Sequence, residues 1–169
     1  MFRQRSWDSE IVSAAVDEVF PAVQGLARIL VDLRTIHDPA GGALCDHCGT
    51  HAEILQQIVA HAAWDWTVRD LVPRLAAWRS GGAQAGAVVF VCNSGKHRSV
   101  AAATLLRRCL LENAEYTVQA SHHVTNLASE CACGVCVDCD TSFHDPDRDA
   151  ALLAAWRLWR RARTEQARR

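Results

Sequence analysis

The sequence predicts an α/β protein: a small, mostly parallel sheet flanked by helices in three layers, with an anion-binding loop between one strand and one helix. Short apolar runs rich in β-branched residues alternate along the chain with longer amphipathic segments. This alternation is the pattern of parallel strands joined by crossover helices. Half of the 169 residues are apolar, which is enough for a sizeable core. We therefore expect a single domain over residues 1–169.

Each element is predicted from its own local pattern. Residues 9–20 have apolar side chains at helical spacing and are followed by Pro21, which predicts a helix. The apolar run 28–34 predicts a buried strand, followed by a loop that contains proline and glycine. By the same criteria the remaining strands are 87–92 and 116–120, and the remaining helices are 51–63, 66–79 with a kink at Pro73, 99–112 and a basic terminal helix at 147–165.

Composition and charge argue against several classes of protein. The formal net charge is −1, so bulk electrostatics predict binding to neither nucleic acid nor a membrane surface. No apolar run is long enough to span a bilayer, and the first residues lack the apolar stretch of a signal peptide. We expect a cytoplasmic protein without a membrane partner, and the sequence leaves its oligomeric state open.

The segment from Cys92 to Ser99, called the 92–99 loop below, is the most informative stretch. It follows a strand and opens a helix, so its backbone N–H groups and the positive end of the helix dipole converge on one point, which suits a phosphate. Cys92 and Arg98 have the Cys-x5-Arg-Ser spacing of cysteine-dependent phosphatases and of phosphate-binding loops derived from them. We expect Gly95 to take a positive φ and Arg98 to hold two phosphate oxygens. Ser99 is expected to cap the helix and to donate to a Cys92 thiolate of lowered pKa.

Two other interpretations of this loop were weighed. Cys92 can be a buried thiol at a strand end, with the loop an ordinary cationic turn. A Walker A nucleotide loop is excluded, because His97 follows Gly95-Lys96 where Ser or Thr is required, and Phe90 stands at the place of the first glycine. Lys96 is the only lysine of the chain and stands among other cationic residues in one turn. This clustering favours the anion-binding interpretation.

Three short stretches occur in a fixed order between residues 28 and 126. They are Asp32-Leu33-Arg34 with Asp38-Pro39, then Gly95-Lys96-His97-Arg98-Ser99-Val100 preceded by Cys92, and finally Val118-Gln119 with His122. Together they resemble the C-terminal domain of the RapZ family, bacterial adaptor proteins for small RNAs that sense an amino-sugar phosphate. The resemblance implies a pocket for a phosphorylated small molecule. The residues it implies for that pocket are Cys92, Asn93, Ser94, Gly95, Lys96, His97, Arg98 and Ser99, with Arg34 and His122 alongside.

Six of the eight cysteines fall in two short loops, 45–51 and 131–144. Cys-x2-Cys pairs brought together by a fold form four-thiolate zinc sites. We predict one structural zinc ion that fixes both loops near the rim of the phosphate pocket, and its ligands are Cys45, Cys48, Cys136 and Cys139, with Cys131 or Cys133 as alternates. The alternatives are an iron–sulfur cluster, free thiols or disulfides, and a second ion held by His47, His51 or His144.

Two functions use the 92–99 loop. The first is a RapZ-like sensor or adaptor domain that binds a sugar phosphate, a nucleotide or an RNA phosphate without chemistry. The second is a cysteine-dependent phosphatase, in which Cys92 attacks phosphorus and Arg98 stabilises the transition state. Its general acid would be Asp38 or Asp145, since each stands directly before a proline, as in the acid loop of low-molecular-weight tyrosine phosphatases.

A third function is RNA binding by the terminal helix. Arginines occupy the polar face of this helix and can meet RNA phosphates. Its Trp156 and Trp159 either stack on bases or pack on the sheet. No recognised RNA-binding motif accompanies them.

Overall fold

A four-stranded sheet forms the centre of the structure, a computed structural model that describes residues 7–15, 28–39, 42–81, 85–113, 116–123, 131 and 136–168. The strands are β1 (Trp7–Ala15), β2 (Arg28–Asp32), β3 (Ala85–Cys92) and β4 (Tyr116–His123). They lie in the order β2-β3-β1-β4, and every pairing is parallel. The predicted α/β class and parallel sheet are therefore confirmed, and β2, β3 and β4 lie where the sequence predicted strands.

Four α-helices connect and follow the strands in the part of the chain that the structure describes. They are α1 (Ala52–Ala60), α2 (Ala62–Ser80), α3 (Arg98–Leu111) and α4 (Pro146–Gln166), each close to its predicted span. His61 separates the first two helices and caps the second, since its Nδ1 accepts a hydrogen bond from Ala63 N at 3.1 Å. Helix α2 continues through Pro73. None of these described helices carries an apolar stretch long enough to cross a membrane.

The predicted helix at 9–20 is wrong over the residues that the structure describes. Residues 7–15 form β1, which pairs with β3 on one side and with β4 on the other. Ile11 and Val12 point to opposite faces of the sheet and are both almost fully buried. A strand at the centre of a covered sheet is apolar on both faces, so its consecutive apolar residues resemble the spacing of a helix. Residues 16–20 lie outside the described part.

One face of the sheet packs against the helices. Ile11, Ile29 and Val88 align across β1, β2 and β3, and they join a continuous core to which all four helices contribute. On the opposite face Val12 and Val89 are buried as well, at 1% and 0% exposure. Both faces of the central strands are thus covered, as the predicted three-layer arrangement requires.

The parallel arrangement places the carboxyl ends of all strands at one edge of the sheet. The segment after β2 runs along this edge, where Leu33 N–H donates to Val91 O at 2.9 Å. The loop after β3 leads into α3 at the same edge. These two segments carry most of the predicted site residues, so the sheet itself brings those residues together.

Candidate oxyanion loop and metal centre

The 92–99 loop joins the end of β3 to the first turn of α3. Gly95 has a φ of 67°, as predicted, and this left-handed conformation costs glycine no strain. The N-cap residue of α3 is His97, and its side chain makes no cap bond to the N–H groups at this helix end. Ser99 does not cap the helix; its Oγ lies 3.3 Å from Cys92 Sγ, and both residues are buried. The loop therefore joins a positive helix end to a buried thiol.

Arg98 is buried at the start of α3, with 5% exposure. Its Nη1 donates to the carbonyl oxygen of Ile36 at 2.8 Å, and the carbonyl oxygens of Leu33 and Arg34 lie at 3.5 and 3.4 Å. Its Nη2 lies 3.7 Å from Asp38 Oδ2, which is beyond hydrogen-bond distance. Its Nε is buried and has no hydrogen-bond partner among the described residues. Nη1 therefore fixes the segment after β2, Nη2 faces the Asp38 carboxylate, and Nε is the guanidinium nitrogen without a partner among the described residues.

Lys96 and His97 face the first cysteine-containing segment, residues 45–49, which we call the knuckle. Four polar contacts join the loop to this segment, and each uses a backbone carbonyl or N–H of the knuckle. They run from Lys96 Nζ to Cys45 O (3.0 Å) and Asp46 O (3.2 Å), between His97 Nε2 and His47 O (3.1 Å), and from Gly49 N to Lys96 O (3.0 Å). Two residues predicted as phosphate ligands are therefore engaged with the knuckle.

The remaining predicted phosphate ligands fall into three groups. Asn93 and Ser94 are exposed on the loop. Arg34 is exposed as well, and its guanidinium pairs with the Asp32 carboxylate at 2.6 Å. This pairing ties Arg34 to its own strand end. His122 belongs to β4, and its side chain lies outside the part that the structure describes.

The two predicted general acids lie in different places. Asp38 is beside the loop, with Oδ1 3.4 Å from His97 Nδ1 and Oδ2 3.7 Å from Arg98 Nη2. Asp145 caps α4 and accepts two backbone N–H groups of its first turn at 2.9 and 3.2 Å. The bond from the Arg148 N–H is the main cause of a lowered pKa at Asp145. A lowered pKa keeps this carboxyl charged and unsuited to donate a proton, so Asp38 is the better placed of the two.

A second cluster of side chains forms where the knuckle meets the cysteine-rich loop before α4. The His47 imidazole and three cysteine sulfurs converge, and all four ligand atoms lie within 4.8 Å of one another. His47 Nδ1 lies 3.4 Å from Cys136 Sγ, 3.5 Å from Cys139 Sγ and 3.7 Å from Cys131 Sγ. We call these four residues the metal group, because they could bind a metal ion.

The spacing of these atoms matches a tetrahedral zinc site. With Zn–S bonds of about 2.3 Å and Zn–N bonds of about 2.0–2.1 Å, a tetrahedral ion holds a sulfur and a nitrogen about 3.6 Å apart. The three observed nitrogen–sulfur distances run from 3.4 to 3.7 Å. Three thiolates and one imidazole are also a donor set that structural zinc sites use. The residues present therefore fit a structural zinc ion.

The metal group differs from the predicted ligand set at two positions, since neither Cys45 nor Cys48 belongs to it. Cys136 and Cys139 belong to it, as does the predicted alternate Cys131. Cys45 is exposed and lies outside the group. Its place is taken by His47, which the sequence suggested only for a second ion. The position of His47 between two cysteines of a Cys-x2-Cys pair is the sequence signal that could have indicated it as a candidate ligand.

Whether Cys131 can act as the fourth ligand of a metal ion depends on its oxidation state, and Cys48 lies nearby. Cys131 is disulfide-bonded, so it has to be reduced before its thiolate can bind an ion. Cys48 is buried, and its hydrogen bond to Cys139 is the largest cause of a raised pKa at the Cys139 thiol. Cys48 therefore lies next to the metal group without belonging to it. The other predicted alternate, Cys133, lies outside the described part.

Arg148 holds the second cysteine-rich loop in place. Its side chain is 4% exposed, and it donates to four backbone carbonyl oxygens. These are Thr50 O (3.2 Å), Asp138 O (2.6 Å), Asp140 O (2.9 Å) and Phe143 O (3.1 Å). In the sequence Arg148 is one arginine among many in a basic helix, so only these contacts reveal its role.

Replacing Arg148 with methionine is expected to lower the free energy of unfolding by about 3 kcal/mol, because four carbonyl oxygens lose a charged donor in a buried site. Urea denaturation measures this loss. Arg157→Met is the matched control, since Arg157 is exposed on the same helix, and it should change stability by less than about 0.5 kcal/mol. Equal stability of the two variants would contradict the role assigned to Arg148.

The fold and the loop define the class of the protein: a parallel α/β domain whose central strand β3 runs through a glycine-containing polar loop into a helix. A family profile described as the RapZ C-terminal domain matches residues 14–126. This match covers 113 of the 169 residues, and the chain therefore belongs to the RapZ C-terminal domain family. It includes the 92–99 loop and the knuckle but ends before Cys131 and α4. No curated protein matches the chain in a sequence comparison.

Proposed function

We propose that this chain is a regulatory binding domain that holds the phosphate group of a ligand in the 92–99 loop. The observation that carries the proposal is the buried Nε of Arg98, which has no partner among the described residues. A buried, charged donor without an acceptor is costly. An oxyanion at the Nε–Nη2 edge would satisfy it in the bidentate geometry that guanidinium groups favour.

The surroundings of this edge support an anion. The N-terminus of α3 adds a positive dipole and N–H groups. The left-handed Gly95 bends the backbone before this helix end. Membership in the RapZ C-terminal domain family is consistent with a sensor role.

A small phosphorylated molecule, such as a sugar phosphate or a nucleotide, is the ligand class we favour over RNA. RNA binding by α4 would be strongest if its tryptophans stacked on bases. Trp159 is fully buried and belongs to the core, and Trp156 packs against that core. The arginines of α4 could then attract RNA only through their charge, and the chain as a whole has a net charge of −1.

Replacing Arg98 with lysine is expected to weaken the binding of inorganic phosphate at least about tenfold, because lysine lacks the paired donors of the guanidinium edge. Isothermal titration of the wild type and the variant measures the effect. Arg107→Lys is the control: Arg107 is exposed further along α3, and its replacement should leave affinity unchanged. An Arg98→Lys variant that is folded and binds as the wild type would contradict the proposal.

The same titration identifies the ligand class. Sugar phosphates, nucleotides and a short RNA are compared as competitors of inorganic phosphate. If only the RNA displaces inorganic phosphate, and if this displacement weakens as the salt concentration is raised, the ligand is an RNA phosphate and not a small molecule.

A cysteine-dependent phosphatase is the second candidate, and the position of Asp38 favours it. The carboxyl group of Asp38 lies beside Arg98 and His97. In its acid form it would protonate the leaving oxygen as the Cys92 thiolate attacks phosphorus and the P–O bond breaks, and water would then cleave the P–S bond to release phosphate and the thiolate. Turnover of a chromogenic phosphate ester that disappears in Cys92→Ser would establish the enzyme. Cys109→Ser is the control, because Cys109 is buried in α3 with its pKa raised by burial to about 12.

We also propose that the metal group binds a structural zinc ion through His47, Cys131, Cys136 and Cys139, with Cys48 as replacement for Cys131. The support is the match of donor types and distances described above. Bound zinc would fix the knuckle to the loop before α4 and would take no part in chemistry. Thiolate ligands need reduced cysteines, so we place the protein in a reducing compartment, the cytoplasm.

A further inference from the structure

The knuckle contributes to two sites at once. The side chain of His47 belongs to the metal group. The backbone of residues 45–49 makes the four polar contacts with Lys96 and His97. One five-residue segment thus reaches the metal group through a side chain and the 92–99 loop through its main chain.

We propose that metal binding sets the affinity of the 92–99 loop for oxyanions; this inference rests on the proposed function. The loop between β3 and α3 has no regular secondary structure of its own, and its last residues are held by the knuckle. A metal ion fixes His47 to two or three thiolates across the molecule. Without the ion these sulfurs and the imidazole lose their common centre, and the knuckle becomes free to move.

A mobile knuckle weakens oxyanion binding because the loop must then be ordered when the ligand binds. Ordering a loop at the moment of binding reduces affinity, whereas a loop held in place beforehand avoids that loss. Because coupling between two sites is reciprocal, a bound oxyanion must tighten metal binding by the same factor.

Lys96 is a positioning residue in this arrangement. Both contacts of its ammonium group are with carbonyl oxygens of the knuckle. These contacts fix the loop to the knuckle and turn the ammonium group toward it.

The test compares the zinc-loaded protein with protein stripped by a chelator, using inorganic phosphate as the probe. The stripped protein should bind phosphate at least about tenfold more weakly, and saturating phosphate should lower the zinc dissociation constant by the same factor. Equal phosphate affinity in the two folded forms overturns the coupling and leaves the proposed function standing. No phosphate binding by either form overturns both.

If removal of zinc unfolds the chain, the Lys96→Met variant tests the coupling between the metal group and the 92–99 loop instead. The variant keeps every side chain of the metal group, yet it should release zinc to a chelator at least about fivefold faster in phosphate-free buffer. A lysine that only contacted phosphate would leave this rate unchanged, and that result overturns the proposal. Arg107→Met, which removes an exposed positive charge elsewhere on α3, should release zinc at the wild-type rate.

Discussion

Replacing Gly49 with alanine is expected to destabilise the protein by more than about 3 kcal/mol, a large part of the 5–15 kcal/mol that usually stabilises a domain. A Cβ at this position would overlap the carbonyl oxygen of His97 and the backbone N of Ala101, and it would lie 2.7 Å from Val100 Cβ. Most of these atoms belong to the backbone at the start of α3, so no side-chain rotation relieves the overlap. The knuckle would have to move away from the helix.

The free energy of unfolding from urea denaturation measures the effect of this substitution. Gly42→Ala is a matched control of the same chemistry: Gly42 has a φ of 63°, and a Cβ there would meet nothing within 4 Å. Its cost should come from the left-handed backbone alone and amount to about 1 kcal/mol. If Gly49→Ala lowered the free energy of unfolding no more than Gly42→Ala, the knuckle would not lie as close to the helix as described.

Replacing Cys139 with serine is expected to abolish zinc binding and to lower stability by about 4–5 kcal/mol, because the proposed, partly buried metal centre loses a thiolate ligand. For a chain of this length such a loss corresponds to a fall of roughly 10 °C in the midpoint of thermal unfolding. Elemental analysis of the purified proteins gives the zinc content, which should fall from about one ion per chain to none.

Cys45→Ser is the control for this experiment. Cys45 is exposed and lies outside the metal group, so the variant should retain its zinc and differ in stability by less than about 0.5 kcal/mol. Parallel measurements on Cys131→Ser and Cys48→Ser identify the fourth ligand, which is the one whose loss releases the ion. Zinc that persists in Cys139→Ser would contradict the proposed centre.

The segment around β3 was predictable because its sequence contains several independent signals. An apolar strand, a polar turn with one glycine and an Ala/Leu-rich helix follow one another, and the structure confirms the order, the helix start and the positive φ of Gly95. The strand β1 was not predictable in the same way. Ile11 and Val12 are buried because β3 and β4 lie on either side of β1, and that arrangement is a property of the whole sheet.

The contacts of the site depended even more on tertiary structure. The spacing of Cys92 and Arg98 predicts a loop, but it cannot show that Arg98 Nη1 is bound by carbonyl oxygens after β2. Nothing in the sequence indicated that Lys96 contacts the knuckle. Cys-x2-Cys spacing singled out Cys136 and Cys139, which the structure brings close to His47 and Cys131. That His47 and not Cys45 joins this group depends on the side chain that the knuckle turns inward.

The strand order has a consequence for how the protein is made. β1 leaves the ribosome before its partners, yet it lies between β3 and β4. It gains its first neighbour only after Cys92 has been synthesised and its second after His123. Both of its hydrogen-bonding edges stay open until β3 is made, and one stays open until β4 is made, which leaves the nascent chain exposed to strand pairing with other chains.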